Sequence, residues 1–199
     1  IPAKGRVVDA IGTRPHDSWT TDRGVTATRA VLRVLEERGY FEAEVTPRVE
    51  PGPDDTSVNV TFEVAPGRSA APAPADFSGD LGPLTPEELR LVGKLRRQRV
   101  FREAVAREDA ERYTARYKSL GLSRAEVRYD GASYVRDTGL ATARYAVFAG
   151  PDVVLEVSGM KEADVRRNPA SPWAKGDPPD GEALDSLRGA LREGLQRKG

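Results

Sequence analysis

The sequence predicts an α+β fold repeated in tandem, and three observations predict it. Gly39, Gly121 and Gly199 each close a helix-like run and stand about 80 residues apart. Matching strand patterns follow the first two, and each strand pair ends on a further glycine, Gly67 or Gly150. A helix stop, a strand phase and a turn that recur together at one period mark a duplicated module.

The period divides the chain into three units. Residues 1–67 lack a first strand, residues 68–150 form the complete unit, and residues 151–199 hold a first strand and helices. Each unit is read as β-α-α-β-β, a three-stranded mixed sheet packed on two helices.

In the first unit, Leu32 and Leu35 lie on one face of a helix that Gly39 ends. Tyr40-Phe41-Glu42-Ala43-Glu44-Val45 follows Gly39, and Leu122-Ser123-Arg124-Ala125-Glu126-Val127 follows Gly121, so Ala-Glu-Val falls at the same distance in both copies. Val58, Val60, Phe62 and Val64 alternate with polar residues, as a strand with one buried face requires. One period later the same slots hold Ala141, Ala143, Tyr145 and Val147.

The second unit opens on a proline-rich strand in which Ala73, Ala75 and Phe77 alternate with Pro72, Pro74 and Asp76. Prolines confine it to a sheet edge, where the missing amide is not needed. Thr85-Pro86-Glu87-Glu88 then supplies an N-cap, a first-position proline and first-turn acids. This helix is expected to run to about Arg99. A second is expected from about Arg107 to Leu120, with Ala110, Tyr113, Tyr117 and Leu120 on one face and Leu122 packing back past the Gly121 cap.

In the third unit, Val153, Leu155 and Val157 precede Gly159 as a first strand, and Leu184, Leu187, Leu191 and Leu195 mark a helix. Between them, Asn168 to Gly181 carries Pro169, Pro172, Pro178 and Pro179, which predicts an irregular connection rather than helix. Gly67 to Pro74 lacks large apolar residues and is expected to act as a hinge. The opening Ile1-Pro2-Ala3-Lys4 has no initiator Met and no apolar signal core, which points to a processed chain or a fragment.

Composition narrows the function classes. Basic and acidic side chains balance at 31 each, which argues against a dedicated nucleic-acid or anionic-membrane binder. Arg96-Arg97-Gln98-Arg99 and Arg166-Arg167 are local clusters, read as solvated helix surface. With no cysteine, neither a disulfide scaffold nor thiol catalysis is available. His16 is the only histidine and has no neighbouring ligand for a metal site. Asp17 and Ser18 beside it do not make a catalytic triad, because adjacent residues rarely provide that geometry. Asp54-Asp55 and Glu87-Glu88 are explained by a turn and a helix start, and no phosphate loop occurs. Neither catalysis nor a cofactor is expected. Trp19 and Trp173 stand among polar and proline-rich residues, as loop packing or as a contact surface.

The pattern Leu32-x-x-Leu35-x-x-x-Gly39-Tyr40-Phe41-x-x-x-Val45, followed by Val60-x-Phe62-x-Val64-x-x-Gly67, resembles the POTRA (polypeptide-transport-associated) domain. Val153-Val154-Leu155-Glu156-Val157-Ser158-Gly159 is similar to the opening strand of the next such domain in outer-membrane barrel assembly proteins of the BamA/TamA type. The prolines of the second unit's first strand, Leu122-Ser123 in place of Tyr-Phe, and the loop from Asn168 to Gly181 depart from the pattern. The resemblance implies a periplasmic array attached to a membrane β-barrel. It also implies partners among unfolded outer-membrane or secreted polypeptides and other envelope assembly proteins.

A binding mode follows from topology. If the last strand of a unit is central, the middle strand in sequence becomes an edge, open to backbone pairing with a client segment. Those edges are Ala43, Glu44, Val45 and Thr46 in the first unit and Ala125, Glu126, Val127, Arg128 and Tyr129 in the second. Pro47 removes a donor, so the second edge is expected to pair better. Edges that are merely solvated, or covered by a neighbouring unit, remain the alternative. Other readings of the chain are a structural or adhesion array of the cell envelope, and the POTRA pair of a two-partner secretion transporter.

Overall fold

The computed structural model describes residues 11–12, 18–54, 57–150, 160–175 and 181–196. The proposed strand at 153–157 and His16 lie outside the described residues. The order of elements is α1 (Thr21–Glu36), β1 (Glu44–Pro51), β2 (Val58–Ala65), β3 (Ala71–Pro72), β4 (Asp76–Asp80), α2 (Pro86–Val92), a 3-10 turn (Leu95–Arg97), α3 (Glu103–Ser119), β5 (Glu126–Val135), β6 (Leu140–Phe148), α4 (Glu162–Arg167), α5 (Pro172–Lys175) and α6 (Gly181–Gln196). The fold is α+β. Two compact units emerge: Ile1–Ala75 with Lys94–Arg107 and Gly131–Arg144, and Asp76–Gly93 with Glu108–Asp130 and Tyr145–Gly199.

The repeat is visible in the backbone hydrogen bonds. After α1, Gly39 N donates to Glu36 O and Tyr40 N donates back to Leu35 O; after α3, Gly121 N donates to Lys118 O and Leu122 N to Tyr117 O. Ala43 N then donates to Tyr40 O, and Ala125 N to Leu122 O. Gly39 and Gly121 both have positive φ, 85° and 91°, the left-handed C-terminal cap that the sequence predicts. An antiparallel hairpin follows the first cap, β1 on β2, in a register that sets Val45 opposite Val64 and Val49 opposite Val60.

In the first unit, α1 buries Gly24, Ala27, Val31 and Leu35, one stripe at helical spacing. Thr20 caps it by accepting from Arg23 N at 3.3 Å. The Gly67–Pro74 segment, expected to act as a hinge, is tied to its neighbours by backbone bonds. Ala70 is fully buried; its N donates to Gly39 O and its O accepts from Phe101 N. Ala71 N and Ala73 N go on to bond Gly139 O and Ala141 O. Small side chains let these backbones approach each other, so the stretch read as loose is pinned on both sides.

β6 is the central strand of a four-stranded sheet, between β3 and β4 on one path and also paired with β5. The proline-rich strand predicted over 72–78 is divided into β3 and β4, with β3 parallel to β6. The break falls around Pro74, which has no amide to give a ladder.

In the second unit, Thr85 and Glu88 complete a capping box around the start of α2. The helix stops at Val92 rather than near Arg99: Gly93 leaves helical geometry and Leu95 turns inward, 4% exposed. α3 starts earlier than expected, and its buried face is Ala106, Ala110, Tyr113 and Tyr117. Leu120 lies beyond the last helical turn and is exposed, whereas Leu122 is buried. The core of this unit is an aromatic cluster in which Tyr145 meets Phe77, Tyr113 and Tyr129 at ring distances of 5.0–5.9 Å. Burial pushes the Tyr145 hydroxyl pKa far above its ordinary value.

Residues 172–175 depart from the irregular connection expected over 168–181. Pro172 takes the first position of a short helix, where a proline forfeits no bond, and Ala174 N donates to Ser171 O. Trp173 lies beneath the Arg166 guanidinium at 5.4 Å.

Candidate polypeptide-binding edges

The structure places both predicted edges on outer strands. Among the described residues β1 pairs only with β2, and β5 pairs only with β6. Of the sequence-predicted residues, Glu44, Val45 and Thr46 lie in β1 and Glu126 to Tyr129 in β5; Ala43 and Ala125 precede those strands.

The two edges differ in what they offer. On β5, the Val127 amide donates to Thr114 Oγ1 of α3 at 3.0 Å, and the Ala125 amide is taken by Leu122 O. The Val127 and Ala125 amides are therefore already engaged, apart from whatever bonds the ladder to β6 uses. Thr114 was missed in the sequence reading, and its polar position next to the buried Tyr113 was the available signal.

On β1, Pro47 and Pro51 share one parity and sit opposite Phe62 and Val58. A ladder to β2 that loses no bond uses the other parity, so the prolines belong on the outward side. The outward donors left on that parity are Val45 and Val49. Beside this strand lies an apolar groove of about 500 Å³, walled by Trp19, Val25 and Thr28 on the α1 side and by Pro47 and Val49 of β1. Trp19 is half-buried; its ring meets Phe62 edge-on at 6.2 Å and leaves little room for a side chain at Gly24. Loop packing thus holds Trp19 at the head of the groove.

Between the Gly39 turn and the 131–144 segment, the same unit carries a polar clasp. Tyr134 donates to Glu42 Oε1 at 2.6 Å, and Arg68 Nε donates to the same oxygen at 3.0 Å. Phe41 stacks on Tyr134 at 5.0 Å and meets Phe101 edge-on at 5.6 Å. The Tyr134 bond, more than the Arg68 charge, holds the Glu42 carboxyl below its ordinary pKa against a smaller opposing effect of burial. Nothing in the sequence pattern singles out this triad, because its members are separated by tens of residues.

Among the described residues, no three His, Cys, Asp or Glu side chains gather to hold a metal, and no helix is long and apolar enough to cross a membrane.

Helix, positive-φ glycine and two-stranded hairpin, twice in one chain, define a repeated α+β module with edge strands. Residues 6–67 match the model of the POTRA family, described as a surface antigen variable number repeat. No curated protein matches the chain. Solved structures similar to it include POTRA domains 3–5 of BamA from Haemophilus influenzae, 15% identical over 96% of this chain and 80% of that one, with a TM-score of 0.43. POTRA domains 1–2 of Omp85 from Anabaena are 18% identical over 76% of this chain and 86% of that one, with a TM-score of 0.45. The N-terminal domain of Omp85 from Thermosynechococcus elongatus is 18% identical over 94% and 77%, with a TM-score of 0.41.

Proposed function

We propose that the chain is a non-catalytic polypeptide-binding scaffold: tandem POTRA modules on the periplasmic face of an outer-membrane assembly or transport protein. Its partners are unfolded or partly folded outer-membrane or secreted polypeptides, held by sheet-edge pairing. The observation that carries the reading is an edge strand with an apolar groove at its side. A client laid along β1 exchanges main-chain bonds with Val45 and Val49 while alternate side chains enter the groove below Trp19. Because backbone pairing reads little side-chain identity, one edge serves many sequences. The order of preference between the edges is reversed from the sequence expectation, since the β5 edge has its Val127 amide engaged and the β1 edge has the groove.

Photo-crosslinking tests it. A benzophenone amino acid at position 49 of the full chain is expected to capture a denatured outer-membrane β-barrel polypeptide diluted from urea, and Val25→Asp should reduce capture about fivefold or more by placing a charge in the groove. Equal capture from position 188, on the exposed helix α6, would sink the edge assignment. Dominant capture from position 129 would move the site to β5.

A further inference from the structure

Five cations and no acid occupy the stretch from Lys94 to Arg102. Arg96, Arg97, Arg99 and Arg102 are exposed, and none forms an ion pair with a described residue. Several arginines elsewhere are neutralised locally, as in Arg33 with Glu37, Arg48 with Glu63, and Arg112 with Glu108 and Asp109. Four uncompensated guanidinium groups within seven positions repel one another, and the packing does not require them.

The backbone that carries them is fixed. Arg97 N donates to Lys94 O at 3.0 Å and Gln98 N to Leu95 O at 2.9 Å, closing the 3-10 turn. Leu95 and Phe101 anchor the two ends in the interior, 4% and 1% exposed, and Phe101 N is bonded to Ala70 O. These residues are solvent-exposed, as the sequence reading has them, but on and just after a 3-10 turn held by buried anchors rather than on an α-helix. A groove of about 690 Å³ opens where the segment ends, lined by Arg38 and Arg102, by the apolar faces of Tyr40, Val100 and Ala104, and by two acids that are already paired, Glu37 with Arg33 and Glu103 with Arg107.

We propose that this arginine loop and groove form a docking surface for an extended, acidic polypeptide segment. Guanidinium forks match carboxylates with two parallel bonds, and a loop already fixed in place forfeits little freedom when it binds. With Glu37 and Glu103 already neutralised by arginines, Arg38 and Arg102 beside the apolar lining suit a chain in which acidic and apolar residues alternate. A planar headgroup layer would touch the loop tip and leave the groove empty. The surface shares no residue with the β1 groove, so its test stands apart from that reading.

The probe is a fluorescent ten-residue peptide alternating Glu and Leu, titrated by anisotropy into the full chain. A Lys-Leu peptide and vesicles of phosphatidylcholine with and without phosphatidylglycerol serve as comparisons. R96Q/R97Q/R99Q/R102Q is expected to weaken the acidic peptide about tenfold or more. R90Q/R166Q/R188Q, which removes three such charges from paired positions away from both edges and from the groove, should stay within about twofold. Raising salt from about 50 to 300 mM should weaken wild-type binding, as exposed charge pairs are screened. If the fourfold variant fails to fold by circular dichroism, the pairs R96Q/R97Q and R99Q/R102Q should each lose about threefold. The proposal is overturned by equal losses in the patch and control variants, by no measurable peptide binding, or by arginine-dependent binding to anionic vesicles alone.

Discussion

The two repeats keep the same backbone device and differ in what surrounds it. Gly39 and Gly121 end their helices with corresponding hydrogen bonds and nearly equal positive φ. Around Gly39, however, a Cβ would stand 2.6 Å from Phe101 O, whereas around Gly121 nothing comes closer than 3.7 Å. The hairpins differ in the same way. β6 alternates buried and exposed residues along its length, while Val49, Val58 and Val64 of the first hairpin are all more than a third exposed. The two copies share the local geometry that a glycine and an alternating strand can encode. The surroundings differ, giving one repeat a dense aromatic core and the other an open, groove-lined edge.

The largest expected effect breaks the comparison at the cores. Tyr145→Ala removes a ring that is 1% exposed and touches three other aromatics, and should destabilise by about 3–5 kcal/mol. Phe62→Ala, at a half-buried site, should cost about 1–2 kcal/mol. Urea midpoints at unchanged slope measure both. Equal losses would mean that the first hairpin is as tightly packed as the second, contrary to its exposure.

The glycine turns come next. Gly121→Ala should cost about 1–2 kcal/mol, the strain of a left-handed non-glycine residue. Gly39→Ala adds a collision with a backbone oxygen that cannot swing aside, for a total of about 2–4 kcal/mol. Urea midpoints of the two variants give the difference. If both shift alike, the close approach of Phe101 to Gly39 is not a feature of the folded chain in solution.

The parts of the molecule legible in the sequence are those fixed by short-range chemistry. Thr85-Pro86-Glu87-Glu88 announced a helix start and Gly39 and Gly121 announced helix ends, because caps depend on residues three or four apart. The alternation through Tyr145 and Val147 gave β6 its buried face. Long-range contacts were not legible. Thr114 taking the Val127 amide, Ala70 wedged between Gly39 and Phe101, and Trp19 heading the β1 groove all depend on tertiary neighbours that no local period reports. The bonds that tie down Gly67–Pro74 were hidden for the same reason. A run of small residues is compatible with looseness and with close packing, and only the neighbouring backbone decides between them. Leu120 failed differently, since the helical phase that would bury it ends one residue earlier.

The smallest effect sharpens the contrast at the third position after each glycine, Glu42 in one repeat and Arg124 in the other. Glu42 is clasped by Tyr134 and Arg68, and its pKa is lowered in the folded chain, chiefly by the Tyr134 bond. A carboxyl with a depressed folded pKa contributes stability above its unfolded pKa and loses it as the pH falls through the folded value. Unfolding midpoints of the wild type should therefore decline as the pH drops below about 4, the ordinary carboxylate range. Glu42→Gln keeps the shape of the side chain and cannot titrate, so it should be somewhat less stable than wild type at pH 7 and converge toward it at low pH. Arg124→Gln should leave the acid limb of the curve parallel to that of the wild type. A Glu42→Gln chain whose acid limb also stays parallel to wild type would show that the clasp does not form in solution.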